Sequence, residues 1–354
     1  MEHQDRLVTT VRRQQHGFHR MACRFYEALS DELIADIETN GPAGQLLAPF
    51  AGEAFESAYV LRLFAGIHRL VLCGAAPALA RHFPSAGGDG DAAGAMKVIQ
   101  AMLRDPPPDI RSYLSRPPQT NEVGRAAALA SGMAFIAREA GLPLSLREVG
   151  ASAGLNLGLD LYWYEQHGAG WGNASSPVRF IDLWRPSFPF AVHPEILDRR
   201  GCDRNPIDVS TGAGAMTLLS YIWPEPSGRF TRAQDAIGLA AGRRVVIDRA
   251  DADAWLAAQL RTRVPGATLT VYHSVVWQYL GQLAQDRIRR QLFAAGSSAT
   301  AKMPLAWLRL EPHQQTHIPA ELRLTLWNGE TGGPREWLLA TTGFHGGPLE
   351  WLAA

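Results

Sequence analysis

Residues 148–156, Glu-Val-Gly-Ala-Ser-Ala-Gly-Leu-Asn, constrain this chain more than any other stretch. They close Leu144-Ser-Leu-Arg-Glu-Val149, a short run suited to a strand, and a helix is expected to start near Gly154. A strand turning sharply into a helix needs small residues, because only these let the backbone approach a neighbour or a ligand closely. The helix start then offers N–H groups without intrahelical partners to polar or anionic ligand atoms. Small residues packed for their own sake give the same turn, so both readings stand at this point.

The flanking pattern sets the fold class. A helix is expected from about 122 to 140, with Val123, Ala127, Ala130, Met133, Ala134 and Ala137 on one face. Strands are expected at 244–248 and 268–273, alternating with helices at 231–241, 252–263 and 276–294, the rhythm of a parallel sheet covered by helices. The tail departs from it: 304–310 reads as a strand, and 321–327 with 335–342 as a hairpin through Asn328-Gly329. Residues 1–118 show helical spacing, as in Phe18, Met21, Phe25, Leu29 and Leu33, and end in proline-rich 105–108 and 116–118. The expectation is an α/β fold: a Rossmann-like parallel sheet with an antiparallel C-terminal hairpin in 119–354, preceded by a helical domain in 1–118. Residues 167–199, rich in Gly, Pro and Trp with one strand at 178–184, read as an insertion.

Charge and cysteine narrow the function classes. Lys plus Arg and Asp plus Glu are each 34, so there is no net charge to mark a nucleic-acid or membrane-surface binder. Three scattered cysteines make neither a zinc motif nor a disulfide framework, and no metal-ligand cluster is expected. The first twenty residues lack the apolar core of a signal peptide, and 58–73 is too short and too charged to span a bilayer, so a cytoplasmic protein acting on a small molecule is expected.

Several residues sit where chemistry is expected. Asp203, in Gly201-Cys-Asp-Arg-Asn-Pro-Ile-Asp208, ends a second strand, where a carboxylate can accept from ribose hydroxyls or simply cap a turn. Asp251 follows the strand at 244–248 and suits either an adenine amine or a helix start. His273 ends the next strand, facing the ligand crevice of an open sheet as a general base, with Ser274 beside it and Tyr279 just beyond. Thr120 or Asn121 is a natural helix cap; alternatively Asn121, Glu122 and Arg125 line a substrate pocket between the two regions. Arg309, Glu311 and His313 end the fifth strand and read equally as crevice groups or solvated residues.

Together Gln119-Thr-Asn-Glu-x-x-Arg125, residues 148–156, Asp203-x-Asn-Pro-x-Asp208, Trp223-Pro-Glu225 and His273-Ser274 resemble a bacterial family catalogued as domain of unknown function 2332. The sheet domain is also similar to class I S-adenosylmethionine-dependent methyltransferases. That resemblance implies S-adenosylmethionine as cofactor, with Glu148, Gly150, Ser152, Gly154 and Asn156 in its first motif, Asp203 as ribose acid and Asp251 as adenine-side acid. It implies methyl transfer to a small or medium-sized acceptor, with His273 as base, Tyr279 or Glu122 as alternatives, and Asn121, Arg125 and Ser274 toward the substrate. Two departures stand out: Ser152 replaces a glycine, and the interval from Gly154 to Asp203 is long. The alternative is a non-catalytic nucleotide-binding or regulatory module of the same fold.

Overall fold

In a computed structural model of the chain, the described residues are 2–186, 189–190, 192–225, 228–243, 245–313 and 319–353. The helices run α1 (Glu2–Arg20), α2 (Arg24–Glu38), α3 (Pro42–Leu47), α4 (Tyr59–Leu72), α5 (Pro77–Ala80), α6 (Ala92–Leu103), α7 (Pro108–Leu114), α8 (Ala126–Ala140), α9 (Gly212–Ser220), α10 (Gly228–Ala241), α11 (Ala252–Gln259) and α12 (Gln282–Gly296). The strands are β1 (Leu144–Val149), β2 (Trp163–Gln166), β3 (Ala169–Gly172), β4 (Arg179–Ile181), β5 (Trp184–Arg185) and β6 (Ile196–Asp203). They continue as β7 (Val246–Arg249), β8 (Thr268–Ser274), β9 (Leu305–Pro312), β10 (Ala320–Trp327), β11 (Arg335–Thr342) and β12 (Leu349–Trp351). Among the described residues no helix is long and apolar enough to cross a membrane.

Two compact units emerge: Met1–Thr120 with Gly212–Thr231, and Asn121–Thr211 with Arg232–Ala354. A single cut near 118 therefore misplaces 212–231, which belong with the helices. The cause is a set of buried polar contacts within that first unit. The Ser220 carbonyl accepts from His68 Nδ1 at 3.1 Å, the Ser220 hydroxyl meets Tyr113 Oη at 2.7 Å, and Glu225 accepts the Phe25 N–H at 2.6 Å. Trp223 adds an edge-on contact to Phe18, centroids 4.9 Å apart, in a core with Tyr26 and Phe64. Burial lowers the His68 pKa to about 4, so its ring serves as a neutral hydrogen-bonding spacer.

The second unit is mixed α/β. Its nine-stranded sheet runs β5-β12-β11-β10-β9-β8-β1-β6-β7, with β7, β6, β1, β8 and β9 mutually parallel and β10 and β11 the expected antiparallel hairpin. Chain order reverses beside β1: β6 and β7 extend to one side, β8 and β9 to the other. At such a reversal the two connections leave in opposite directions and open a crevice beyond the strands' C-terminal ends. Glu148, Asp203 and Ser274 all occupy that edge.

Three local expectations are corrected. The helix expected near Gly154 is a 3-10 segment, Leu155–Leu161, with Gly158 off helical dihedrals. Leucine at every second position has a period of two, not the helical 3.6. Tyr162 and Tyr164 hydroxyls also take the Leu155 and Leu159 carbonyls, at 2.6 and 2.7 Å, that a longer helix would use. Second, the stretch read as an insertion at 167–199 holds β3 and β4, which join β2 just before it in a separate three-stranded sheet, then β5 and the start of β6 in the main one; residues 187, 188 and 191 of it, and 244 of the expected strand 244–248, lie outside the described residues. Stacked rings of Tyr164, Phe180 and Trp171 fill the small sheet's interior. Third, the helix expected from 276 starts only at Gln282, after Gly281 as N-cap.

Candidate functional site

The residues from the sequence motifs gather at the C-terminal edge of β1, but on two opposite faces. Side chains alternate along a strand, so the row Glu148–Tyr272–Leu308 shares one face. That face lies under α8, where a Cβ on Gly132 would sit 2.7 Å from Leu308. His273, one residue on, points to the other face, among Val271, Trp307, Leu256 and Ile288. Asn121, Arg125 and Glu148 are thus separated from His273 by the sheet.

Under α8, nearly every polar group is bound internally. Asn121 Oδ1 accepts the Leu155 N–H at 2.9 Å. Glu122 caps the turn at Val123–Arg125 by accepting the Gly124 N–H at 3.1 Å, and its other oxygen meets His345 Nδ1 at 3.1 Å. Arg125 donates to the Ser274 carbonyl at 3.0 Å and the Phe344 carbonyl at 2.8 Å, pinning the end of β8. His345 escaped sequence reading because nothing in Phe-His-Gly-Gly indicates a partner more than 200 residues away.

Glu148 is 2% exposed, and burial holds its carboxyl well above the ordinary range, with Tyr272 opposing and nearby Asp203 reinforcing the shift. Tyr272 Oη lies 3.3 Å from Glu148 Oε2 and 3.4 Å from the Asn156 carbonyl. One hydroxyl proton cannot fully satisfy two acceptors. A protonated Glu148 resolves this by donating to Tyr272, leaving the tyrosine proton for Asn156. Asn156 is 1% exposed, and its Oδ1 has no partner among the described residues.

The raised carboxyl has a pH consequence. As pH climbs above the ordinary carboxylate range, the unfolded chain loses the Glu148 proton and the native state keeps it. Stability attributable to this group is therefore complete at low pH and falls as pH rises toward the folded pKa, by about 1.4 kcal/mol per pH unit. Urea denaturation of wild type and Glu148→Gln from about pH 5 to pH 8 checks this. The two stabilities should diverge, the variant gaining at the alkaline end; parallel curves rule out the neutral carboxyl.

The bend after β1 is closed in the same way. Gly150 and Ala151 N–H groups both donate to the Cys202 carbonyl at 2.9 Å, and Gly154 N–H to Ala151. Ser152, at φ +53°, gives its N–H to Asp203 Oδ2 at 3.0 Å, and Asn205 N–H reaches Asp203 Oδ1 at 2.8 Å. Gly150 has φ +71°, and a Cβ built there would lie 2.5 Å from Val276 Cγ2. Gly154 faces Ile247 and Gly201 faces Ala151 at comparably short range, so glycine here serves close packing of chain on chain.

On the far face His273 is held by three side chains. Trp307 Nε1, a donor only, reaches His273 Nε2 at 3.2 Å, so that nitrogen carries no proton. The proton therefore sits on Nδ1 and is donated to Glu311 Oε1 at 2.6 Å. Trp277 stacks on the ring, centroids 5.0 Å apart. Neither nitrogen is left for a substrate in this arrangement. Glu311 also accepts the N–H groups of Val276 and Trp277, at 3.1 and 3.3 Å, and so sets the turn that lays Val276 over Gly150. Sequence reading left Glu311 between crevice and solvent; the structure makes it the anchor of this turn. Val275 has φ +52°, strained for a β-branched residue.

The remaining candidates stand apart. Tyr279 is 50% exposed on a short 3-10 turn. Asp251 precedes α11 and pairs with Arg204 Nε at 2.6 Å, both side chains solvent-exposed. Ser274 is buried at the strand end, its carbonyl taken by Arg125.

The family model described as "Uncharacterized protein conserved in bacteria (DUF2332)" matches residues 9–351. The chain belongs to that family. Its match takes in both units, so the return of 212–231 to the helices lies within the DUF2332 region. No curated protein and no solved structure matches the chain.

Proposed function

We propose that the α/β unit is a non-catalytic ribonucleoside-binding module, with Asp203 as the group that accepts from the ribose. The carrying observation is the position of Asp203: half-buried at the end of β6, next to the strand-order reversal. A carboxylate has about four acceptor sites, and the Ser152 and Asn205 N–H groups use one on each oxygen. Two remain for a pair of ribose hydroxyls.

The whole of S-adenosylmethionine fits these residues poorly. Its amino-acid end needs the Gly150 turn and the Glu148 carboxylate, but Val276 lies against the glycine and Glu148 is buried beneath Tyr272. His273, Glu122 and Tyr279 supply no free base beside the bend. The reading of a non-catalytic module therefore stands ahead of methyl transfer to a small acceptor. Methyl transfer draws its support from the antiparallel strands beyond five parallel ones and from the strained backbone at Val275, a device found where a segment must move.

Calorimetric titration with adenosine, 2′,3′-dideoxyadenosine and S-adenosylhomocysteine separates the readings. Adenosine and S-adenosylhomocysteine should bind alike, and removing both hydroxyls should weaken binding by roughly 1–3 kcal/mol, about five- to 150-fold. Asp203→Asn should erase that difference. No heat from any of the three at millimolar concentration sinks the proposal. S-adenosylhomocysteine binding about a hundredfold tighter than adenosine replaces it with the methyltransferase reading.

A further inference from the structure

In the helical unit, His68 Nε2 lies 2.8 Å from Ser85 Oγ, and His68 Nδ1 lies 3.1 Å from the Ser220 carbonyl. A carbonyl oxygen only accepts, so Nδ1 carries the ring proton and Nε2 keeps its lone pair. The Ser85 hydroxyl therefore donates to Nε2. A nucleophilic serine needs this order: a hydroxyl, a base within hydrogen-bond reach, and a third group that fixes the base's tautomer. Burial also holds the ring neutral, its pKa lowered to about 4, so Nε2 is ready to take a proton across the ordinary pH range.

Ser85 is the accessible member of the pair: it is half-buried, while His68 is 0% exposed. It sits in the 3-10 turn Pro84–Ala86. The Ala86, Gly87 and Gly88 N–H groups close that turn on the Phe83 and Pro84 carbonyls, whereas the Ser85 N–H has no hydrogen-bond partner among the described residues. A Cβ built on Gly87 or Gly90 meets nothing within 4 Å, so the flank of the turn is open. Phe83 stacks on the imidazole with centroids 5.7 Å apart, and the half-buried Phe230 ring lies 6.5 Å from it, which puts apolar surface beside the pair.

We infer that Ser85 and His68 form a catalytic site that hydrolyses esters of small apolar acyl groups. Ser85 Oγ bonds to the ester carbonyl carbon as its proton passes to His68 Nε2. The bond from that carbon to the leaving oxygen then breaks, and His68 returns the proton to the departing alcohol. Water repeats the sequence on the acyl-serine, releasing the acid and restoring the hydroxyl. The Ser85 N–H is the donor available to the oxyanion, and the Ser220 carbonyl only positions the ring. The site lies wholly in the helical unit and is independent of Asp203, so it stands whether or not a nucleoside binds the α/β unit.

The experiment exposes the full chain to p-nitrophenyl acetate and, separately, to diethyl p-nitrophenyl phosphate, which phosphorylates activated serines. Peptide mapping of the wild type should place the diethylphosphoryl group on Ser85, and the acetate should be hydrolysed with saturation. Ser85→Ala should slow that hydrolysis by about a hundredfold or more, as should His68→Gln, which can still donate to Ser220 but takes no proton. If Ser85 merely satisfies a buried imidazole, no adduct forms on it and the inference fails. Hydrolysis by Ser85→Ala at the wild-type rate overturns it as well.

Discussion

Replacing Glu311 with leucine is expected to lower the unfolding free energy by about 3–5 kcal/mol, as when one partner of a buried hydrogen-bonded charge is removed. Three donors depend on this carboxylate: His273 Nδ1–H and the Val276 and Trp277 N–H groups. Its side chain is 15% exposed and that of His273 2%, so solvent has little access to compensate. Leucine matches the bulk but accepts nothing. The turn it anchors covers Gly150, so the loss also reaches the bend after β1. Glu311→Gln keeps one acceptor oxygen and should lose roughly half as much. Urea denaturation followed by tryptophan fluorescence gives the magnitude, and near-ultraviolet circular dichroism reports on Trp277 stacked against His273. A loss below about 1 kcal/mol for the leucine variant removes the anchoring role assigned to Glu311.

Gly150→Ala is expected to cost about 3 kcal/mol through two separable effects. A left-handed φ of +71° penalises any residue with a Cβ by about 1–2 kcal/mol. The new methyl must also displace Val276 Cγ2, 2.5 Å away, and overpacking of that kind costs about 1–3 kcal/mol. Only the second effect depends on the valine. In a Val276→Ala background the same substitution should retain the backbone cost alone, giving a coupling of about 1–2 kcal/mol in a double-mutant cycle. Strict additivity places Val276 elsewhere than against the glycine. The cycle also bears on ligand access, since Val276→Ala uncovers the bend: S-adenosylhomocysteine should then gain affinity only if its amino-acid end uses Gly150.

The parts of this protein written in local sequence are those decided by neighbours along the chain. The run Leu144–Val149, small residues after it, apolar 268–273 and the Asn328-Gly329 turn each specify their own conformation, because strand alternation and turn dihedrals are properties of a few consecutive residues. The parallel sheet and its closing hairpin followed from them. Residues 155–161 do not form the α-helix that local sequence suggests, because the competing donors, Tyr162 and Tyr164 hydroxyls, act through folding back of the chain. Likewise no local signal ties Ser220 to His68 and Tyr113, so membership of 212–231 in the helical unit was out of reach.

The sequence alone determined which polar residues arrive at the C-terminal edge of the sheet: Glu148, Asp203, His273 and Glu311 each end a strand. What they can do there was decided only by the tertiary structure. Burial raised the Glu148 carboxyl well above its ordinary range beside Tyr272, Trp307 and Glu311 took both nitrogens of His273, and Val276 lay across Gly150. The physical reason is that position along a strand is local, whereas protonation, tautomer and free space depend on partners brought in from distant parts of the chain.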